Sequence, residues 1–179
     1  EPAYGRIGDV FDAPARQAYS AIRSAWVPVI ARVQGACFTG ALELALHCDF
    51  IFTTDATKFG DTHTKFGLRP TWGMSQTLPQ AIGVRKAKEL SYSARVFRGD
   101  EAERLGIANR SVAGDAELDD LVTRRAAEIA GNSRAAVAAM KDLYNMHQEG
   151  LAIEEALIKE RDTEYIDILD TAKRLAEFR

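Results

Sequence analysis

Apolar residues recur along the chain in short runs that alternate with polar, glycine-containing segments. Pro28 introduces a β-branched run at residues 29–33, which predicts a strand, and the apolar run at 50–53 predicts a second strand. Residues 40–47 predict a short helix between them, whereas residues 60–73 combine glycine and proline with polar side chains and predict a loop. Strands that alternate with helices indicate a parallel sheet covered by helices.

Glycines and helical composition predict further elements on both sides of this segment. They are a helix at 13–25, helices from 74 and from 84 with a turn at Gly83 between them, a helical turn from Gly99 to Gly106, and a strand at 107–112. An α/β core is therefore predicted over residues 1–114.

After Gly114 the pattern becomes nearly continuous helix. Asp115 and Ser133 are predicted N-caps, and Gly150 is predicted to end the second of these helices. Apolar residues at helical spacing from 165 to 175 predict a last helix. Apolar faces of this kind more often indicate core or subunit contacts than a ligand site, so residues 115–179 are predicted to form a C-terminal helical region.

Composition narrows the classes of function. The chain has 179 residues, 46% hydrophobic, and a formal charge of −3, which fits a globular domain and lacks the basic balance of a nucleic-acid-binding protein. No run approaches the about 18 apolar residues of a membrane span. The two cysteines, Cys37 and Cys48, have no metal-ligand spacing and predict neither a zinc site nor a disulfide framework. A reducing compartment, the cytoplasm, is the predicted location.

One segment carries a specific motif. Residues 28–78 read PVIARVQGACFTGALELALHCDFIFTTDATKFGDTHTKFGLRPTWGMSQTL. Without a gap, this resembles the crotonase (enoyl-CoA hydratase/isomerase) family pattern PVIAAVNG-x-x-x-GGG-x-ELA-x-x-CD, followed by FG-x-PE-x-x-LG-x-x-P-x-x-GG-x-QRL. The resemblance implies an α/β fold, a crotonase-like spiral of ββα units with a helical C-terminal oligomerisation region, and assembly into homotrimers or hexamers.

The same resemblance implies that the chain is N-terminally incomplete. In the family, several strands, a second oxyanion donor and much of the adenine pocket precede the point that matches residue 28. Removing one oxyanion donor typically lowers kcat by about 10²–10³-fold. We therefore expect these 179 residues, made alone, to show little or no hydration.

The resemblance also assigns the catalytic residues. Gly40, the middle residue of Thr39-Gly40-Ala41, matches the glycine whose N–H holds the thioester oxygen, although Thr39 and Ala41 depart from the triple glycine. Glu43, in Glu43-Leu44-Ala45, matches the first of two catalytic glutamates, and a carboxylate in an acyl pocket is suited to move protons. From the spacing to Gly40 alone, a structural acid that caps the helix or complements its dipole is the favoured interpretation, and the family match reverses that preference.

The second glutamate of the family is absent. Counting through the FG-x-PE step places His63 at that position, where a histidine can exchange protons near neutral pH. A pocket-lining or solvent-exposed loop histidine is the alternative. Asp61 is a second candidate acid, although a solvated loop aspartate is commoner. Thr39, Pro70, Trp72 and Gly73 are implied to bind substrate, with core packing as the alternative for Trp72.

The implied function is hydration of a 2-enoyl-CoA to a 3-hydroxyacyl-CoA. The alternatives are another crotonase reaction, such as double-bond isomerisation, dehalogenation or decarboxylation, and a non-catalytic acyl-CoA-binding subunit. No metal ion or separate cofactor is expected, because coenzyme A enters as part of the substrate and no dinucleotide fingerprint occurs. The expected partner is an acyl-CoA thioester, with no nucleic acid and no membrane.

Overall fold

The computed structural model describes residues 9–148 and 150–177, so the outermost residues of the two predicted regions, 1–8 and 178–179, lie outside the description. Its helices are α1 Asp9–Ser24, α2 Gly40–Ala45, α3 Met74–Ile82, α4 Val84–Ser93, α5 Gly99–Leu105, α6 Asp115–Ala130, α7 Arg134–Gln148, α8 Ile153–Asp162 and α9 Thr171–Glu177. Its strands are β1 Ile30–Val33, β2 Ala36–Phe38, β3 Phe50–Thr54, β4 Lys58–Gly60, β5 Phe97–Arg98 and β6 Arg110–Val112. A 3₁₀ turn spans Thr64–Phe66.

Two small sheets lie in the first part of the chain. The first has the order β1-β3-β6 and is entirely parallel, with Ile30 opposite Phe50. The second has the order β2-β4-β5, in which β2 and β4 are parallel and β5 is antiparallel to β4. The chain passes from one sheet to the other through Gly35, whose φ of 75° is accessible to glycine at little cost. The order β1-β2-α2 followed by β3-β4-α3 gives two successive ββα units.

The chain divides into two units, Glu1–Ser24 with Val29–Val122, and Ala25–Pro28 with Thr123–Arg179. The apolar core of the first unit is formed by buried side chains of both sheets and the helices α2 to α5. These side chains include Cys37, Leu42, Ile51, Phe59, Met74, Leu78, Leu90, Phe97 and Ile107. Burial of Leu42 and Met74 fixes α2 against the start of α3, and this contact positions the site described below.

The second unit is helical. The predicted cap at Ser133 is confirmed, because its hydroxyl accepts the Ala136 N–H at 3.5 Å, and it also donates to Asp170 at 2.6 Å. The guanidinium of Arg134 lies 3.7 Å from the ring centroid of Trp26, which joins the 25–28 segment to α7. None of the described helices combines the length and apolar character that crossing a bilayer requires.

Three differences from the sequence expectations stand out. The short strands β2, β4 and β5 were not predicted. The helix expected over 165–175 starts only at Thr171. The predicted N-cap at Asp115 is wrong, because Asp115 is already the first residue of α6. Gly114 precedes the helix, and its N–H donates to the Glu117 side chain at 2.7 Å, which is one half of a capping box.

Candidate active site

The turn from β2 into α2 exposes an amide that has no partner. The Thr39 N–H donates to the Gly60 carbonyl at 3.0 Å, and the Thr39 carbonyl accepts the Glu43 N–H at 2.9 Å. Gly40 is the first residue of α2, where a helix offers no acceptor for the N–H. Among the described residues no other backbone carbonyl or side chain accepts it either. The Gly40 N–H is therefore available to a ligand oxygen.

Glu43 is buried beside this turn, with 1% of its surface exposed. Its Oε1 atom accepts two backbone N–H groups, from Trp72 at 3.1 Å and from Met74 at 3.0 Å. Burial raises the pKa of Glu43 above its ordinary value, and the hydrogen bonds from the Met74 and Trp72 N–H groups offset only part of that effect. The side chain makes no capping bond to α2, so the structure does not support the capping alternative.

His63 and Asp61 form a buried pair next to Glu43. The Nε2 atom of His63 lies 3.5 Å from Oε2 of Glu43, and its Nδ1 atom lies 2.6 Å from Oδ1 of Asp61. His63 is 7% exposed and Asp61 is 2% exposed, so the expectation of a solvated loop aspartate is wrong. Burial alone would raise the pKa of Asp61, but hydrogen bonds from His63 and the Ser91 side chain outweigh it and lower that pKa.

A cavity of about 130 Å³ joins Gly40, Glu43 and His63, whereas Asp61 does not line it. It is lined by Asp12, Thr39, Gly40, Glu43, His63, Phe66, Leu68, Arg69, Thr71 and Trp72. Five of the seven predicted site residues therefore lie together. Pro70 and Gly73 instead line a neighbouring, more polar cavity of about 640 Å³.

Trp72 forms one wall of the smaller cavity rather than part of the buried core. Its ring lies so close to Gly40 that a Cβ atom on Gly40 would be 2.4 Å from Cζ3 of the indole. The indole N–H donates to Asp12 at 3.2 Å, and the Thr71 hydroxyl donates to the same carboxylate oxygen at 2.8 Å. Sequence reasoning missed Asp12, because nothing in the composition of α1 points to this contact.

His47 supports the 72–73 loop from outside the smaller cavity. Its Nε2 lies 2.7 Å from the Trp72 carbonyl, and its ring stacks on Tyr19 with the centroids 4.7 Å apart. Burial lowers the pKa of His47, so the ring is held neutral and donates from Nε2. A Cβ on Gly73, where φ is 115°, would lie 3.1 Å from that nitrogen. The role of Gly73 in this structure is thus to let the loop approach His47.

Thr39 adopts a backbone conformation that favours glycine, with φ 49° and ψ −112°. Its hydroxyl lies 2.8 Å from that of Thr62. We expect Thr39→Gly to be more stable than Thr39→Ala by about 1–3 kcal/mol, because both lose the hydroxyl contact but only alanine keeps the backbone strain. Urea unfolding of the two variants in the full-length protein measures the difference. Equal stabilities would contradict the prediction, because the strain would then be no larger than the about 0.4–1 kcal/mol that the extra freedom of glycine in the unfolded chain costs.

A model of the enoyl-CoA hydratase/isomerase family matches residues 5–174. A probable enoyl-CoA hydratase of Mycobacterium leprae is 36% identical over 86% of this chain and 59% of its own length. The structure of an enoyl-CoA hydratase from Bacillus anthracis is 28% identical, with a TM-score of 0.85 over 94% of this chain and 66% of its own. A Thermobifida fusca protein solved in complex with CoA is 30% identical, with a TM-score of 0.74 over 92% of this chain and 63% of its own.

The chain thus spans less than two thirds of the length of these relatives. Over the shared part, the structural agreement confirms the α/β class of ββα units that the sequence predicts.

Proposed function

Because the chain belongs to the enoyl-CoA hydratase/isomerase family, we propose that it binds an acyl-CoA thioester and hydrates a 2-enoyl-CoA to a 3-hydroxyacyl-CoA. The observation that carries the proposal is the buried Glu43, which has a raised pKa and opens onto the same cavity as the free Gly40 N–H. A buried carboxyl beside an unpaired amide suits proton transfer at a carbon next to a thioester.

The proposed reaction uses these groups in turn. Water attacks the β-carbon, the double-bond electrons move toward the thioester oxygen, and the Gly40 N–H stabilises the charge that develops there. The water proton passes to Oε2 of Glu43, because Oε1 is occupied by the Trp72 and Met74 N–H groups. Glu43 then returns a proton to the α-carbon, so that one molecule of water is added overall. His63 holds the attacking water beside Glu43.

We also propose the cofactor requirement, the cellular location and the assembly of the protein. Coenzyme A would enter as part of the substrate, with no further cofactor or metal ion. Cytoplasmic location is proposed because Cys37 and Cys48 are both free thiols. Assembly into homotrimers or hexamers is proposed for the helical second unit, which leaves several large apolar side chains exposed. These are Met140, Tyr144, Ile153, Leu157, Ile158, Ile166, Leu169 and Leu175.

Product analysis tests the proposed reaction. We expect the full-length protein to convert crotonyl-CoA in water to 3-hydroxybutyryl-CoA, identified by mass spectrometry and NMR. In ²H₂O, one deuterium should appear at the α-carbon, because the proton delivered there comes from solvent through Glu43. A shifted double bond with no added water would instead support isomerisation, the alternative that the replacement of the second glutamate by His63 leaves open. Binding without any turnover would support a non-catalytic acyl-CoA-binding subunit.

A further inference from the structure

The two ring nitrogens of His63 face different carboxylates: Nδ1 faces Asp61, and Nε2 faces Glu43. We propose that Asp61 is a positioning residue, which holds His63 as the Nδ1–H tautomer so that the bare Nε2 faces Glu43 and accepts a hydrogen from the attacking water. This inference rests on the proposed hydration and assigns a role that neither Glu43 nor Gly40 supplies.

One hydrogen lies between Asp61 and His63. The 2.6 Å distance from Nδ1 to Oδ1 is that of a short, charge-assisted hydrogen bond. The pKa of Asp61 is lowered, with the His63 and Ser91 bonds outweighing burial, so the carboxylate is ionised and can only accept. The hydrogen therefore resides on Nδ1. In the neutral tautomer proposed here this is the only N–H of the ring, which leaves a lone pair on Nε2.

Further hydrogen bonds hold Asp61 in place beside the ring. The same Oδ1 atom also accepts the backbone N–H of His63 at 3.3 Å, which fixes the carboxylate relative to the ring. Ser91 on α4 adds a further hydrogen bond to Asp61. Asp61 and His63 are both buried, so bulk water does not compete for these bonds. The titratable groups that face the ring are Asp61 from its own loop and Glu43 from α2.

A gap separates Nε2 of His63 from Oε2 of Glu43. Their separation of 3.5 Å exceeds a direct hydrogen bond, and Oε1 of Glu43 is already occupied. Oε2 and Nε2 are thus two acceptors on one side of the cavity. A water molecule within reach of both donates one hydrogen to each, and its oxygen lone pairs are left to face the substrate. With Nε2 protonated instead, this water would lose one acceptor.

The experiment combines tautomer measurement with kinetics in the full-length protein. Long-range ¹H–¹⁵N spectra of ¹⁵N-histidine-labelled protein distinguish the two tautomers, and we expect the Nδ1–H form for His63. In Asp61→Asn the new amide can donate to Nδ1, so the Nε2–H form should become populated. We expect kcat to fall by about 10–100-fold with little change in KM. This range is taken by analogy from histidines that bind metals, where loss of the carboxylate that orients the ring has an effect of this size. Asp61→Glu should retain the wild-type tautomer and recover part of the rate.

Asp49→Asn is the matched control, because Asp49 also accepts a backbone N–H, from Val29 at 2.7 Å, but does not line the cavity. It should change neither the His63 tautomer nor kcat. An Nε2–H tautomer in the wild-type protein overturns the proposal whether or not any variant folds, as does an Asp61→Asn protein with an unchanged rate. Absence of hydration in a wild-type protein with the Nδ1–H tautomer would instead refute the proposed function and leave the tautomer assignment standing.

Discussion

Replacing Glu43 by glutamine in the full-length protein is expected to lower kcat for the proposed enoyl-CoA hydration by about 10²–10⁴-fold, the usual share of a general acid or base. Glutamine has the same shape and offers one oxygen to the Trp72 and Met74 N–H groups, so the loop over α2 should stay in place. It cannot carry the water proton to the α-carbon. Acyl-CoA affinity should therefore change little, as titration calorimetry with a saturated acyl-CoA would show.

The same substitution should raise stability at neutral pH. The pKa of Glu43 is raised in the folded protein by burial, so the folded state binds that proton more tightly than the unfolded state. The stability contributed by Glu43 is present below its unfolded-state pKa of about 4.3 and is lost as the pH rises through the folded-state value. Glutamine does not ionise and avoids this loss. Denaturant midpoints should be higher than wild type at pH 7 to 8 and converge near pH 4.

Glu103→Gln is the matched control for the effect on turnover. Glu103 also accepts a backbone N–H, from Ser111 at 2.7 Å, but it pairs with Arg110 and lies away from the cavity. It should leave kcat unchanged. A Glu43→Gln enzyme with near wild-type turnover would remove Glu43 from the proton path and with it the proposed mechanism.

Local sequence patterns located the longer elements of the fold but not its second sheet. β2 and β4 have three residues each and β5 has two, which is too short for alternating polarity to be recognised. Their conformation depends on pairing between distant segments. Phe59 on β4 pairs with Phe97 on β5, and their rings lie 5.8 Å apart. The C-terminal error has the opposite origin. Apolar residues recur at helical spacing from 165 onward, but residues 163–170 are not helical and the last helix begins only at Thr171.

The candidate site shows the same division between local and long-range information. Motif matching pointed to Gly40, Glu43 and His63, and the structure places all three on one cavity. The burial of Glu43 depends on residues 72–74, which are distant from Glu43 in the sequence but pack against it through the Trp72 and Met74 N–H groups. The sequence favoured a solvated loop position for Asp61. In the structure, Asp61 is instead hydrogen-bonded by Ser91 on α4 and by the His63 ring. Such contacts are set by tertiary packing and leave no periodic signal.

Gly40→Ala should damage the site from its other side, through the wall formed by Trp72. The new Cβ would lie 2.4 Å from Cζ3 of the indole, a distance that forces the ring or the turn to move. Overpacking of this kind costs about 1–3 kcal/mol of folding free energy. Displacement of the turn also moves the amide proposed to hold the thioester oxygen, and loss of one such donor lowers kcat by about 10²–10³-fold. Urea unfolding and steady-state kinetics in the full-length protein measure the two effects.

A double-mutant cycle separates the steric cause from a general intolerance of alanine in the turn. In a Trp72→Ala background the indole is gone, so adding Gly40→Ala should cost much less folding free energy than it does in the wild type. Gly114→Ala is the control, because a Cβ there meets only Oε2 of Glu117, at an ordinary 3.6 Å. The same cost in both backgrounds would show that Trp72 does not press on Gly40. Unchanged turnover in Gly40→Ala would argue that the thioester oxygen is held by a donor other than the Gly40 N–H.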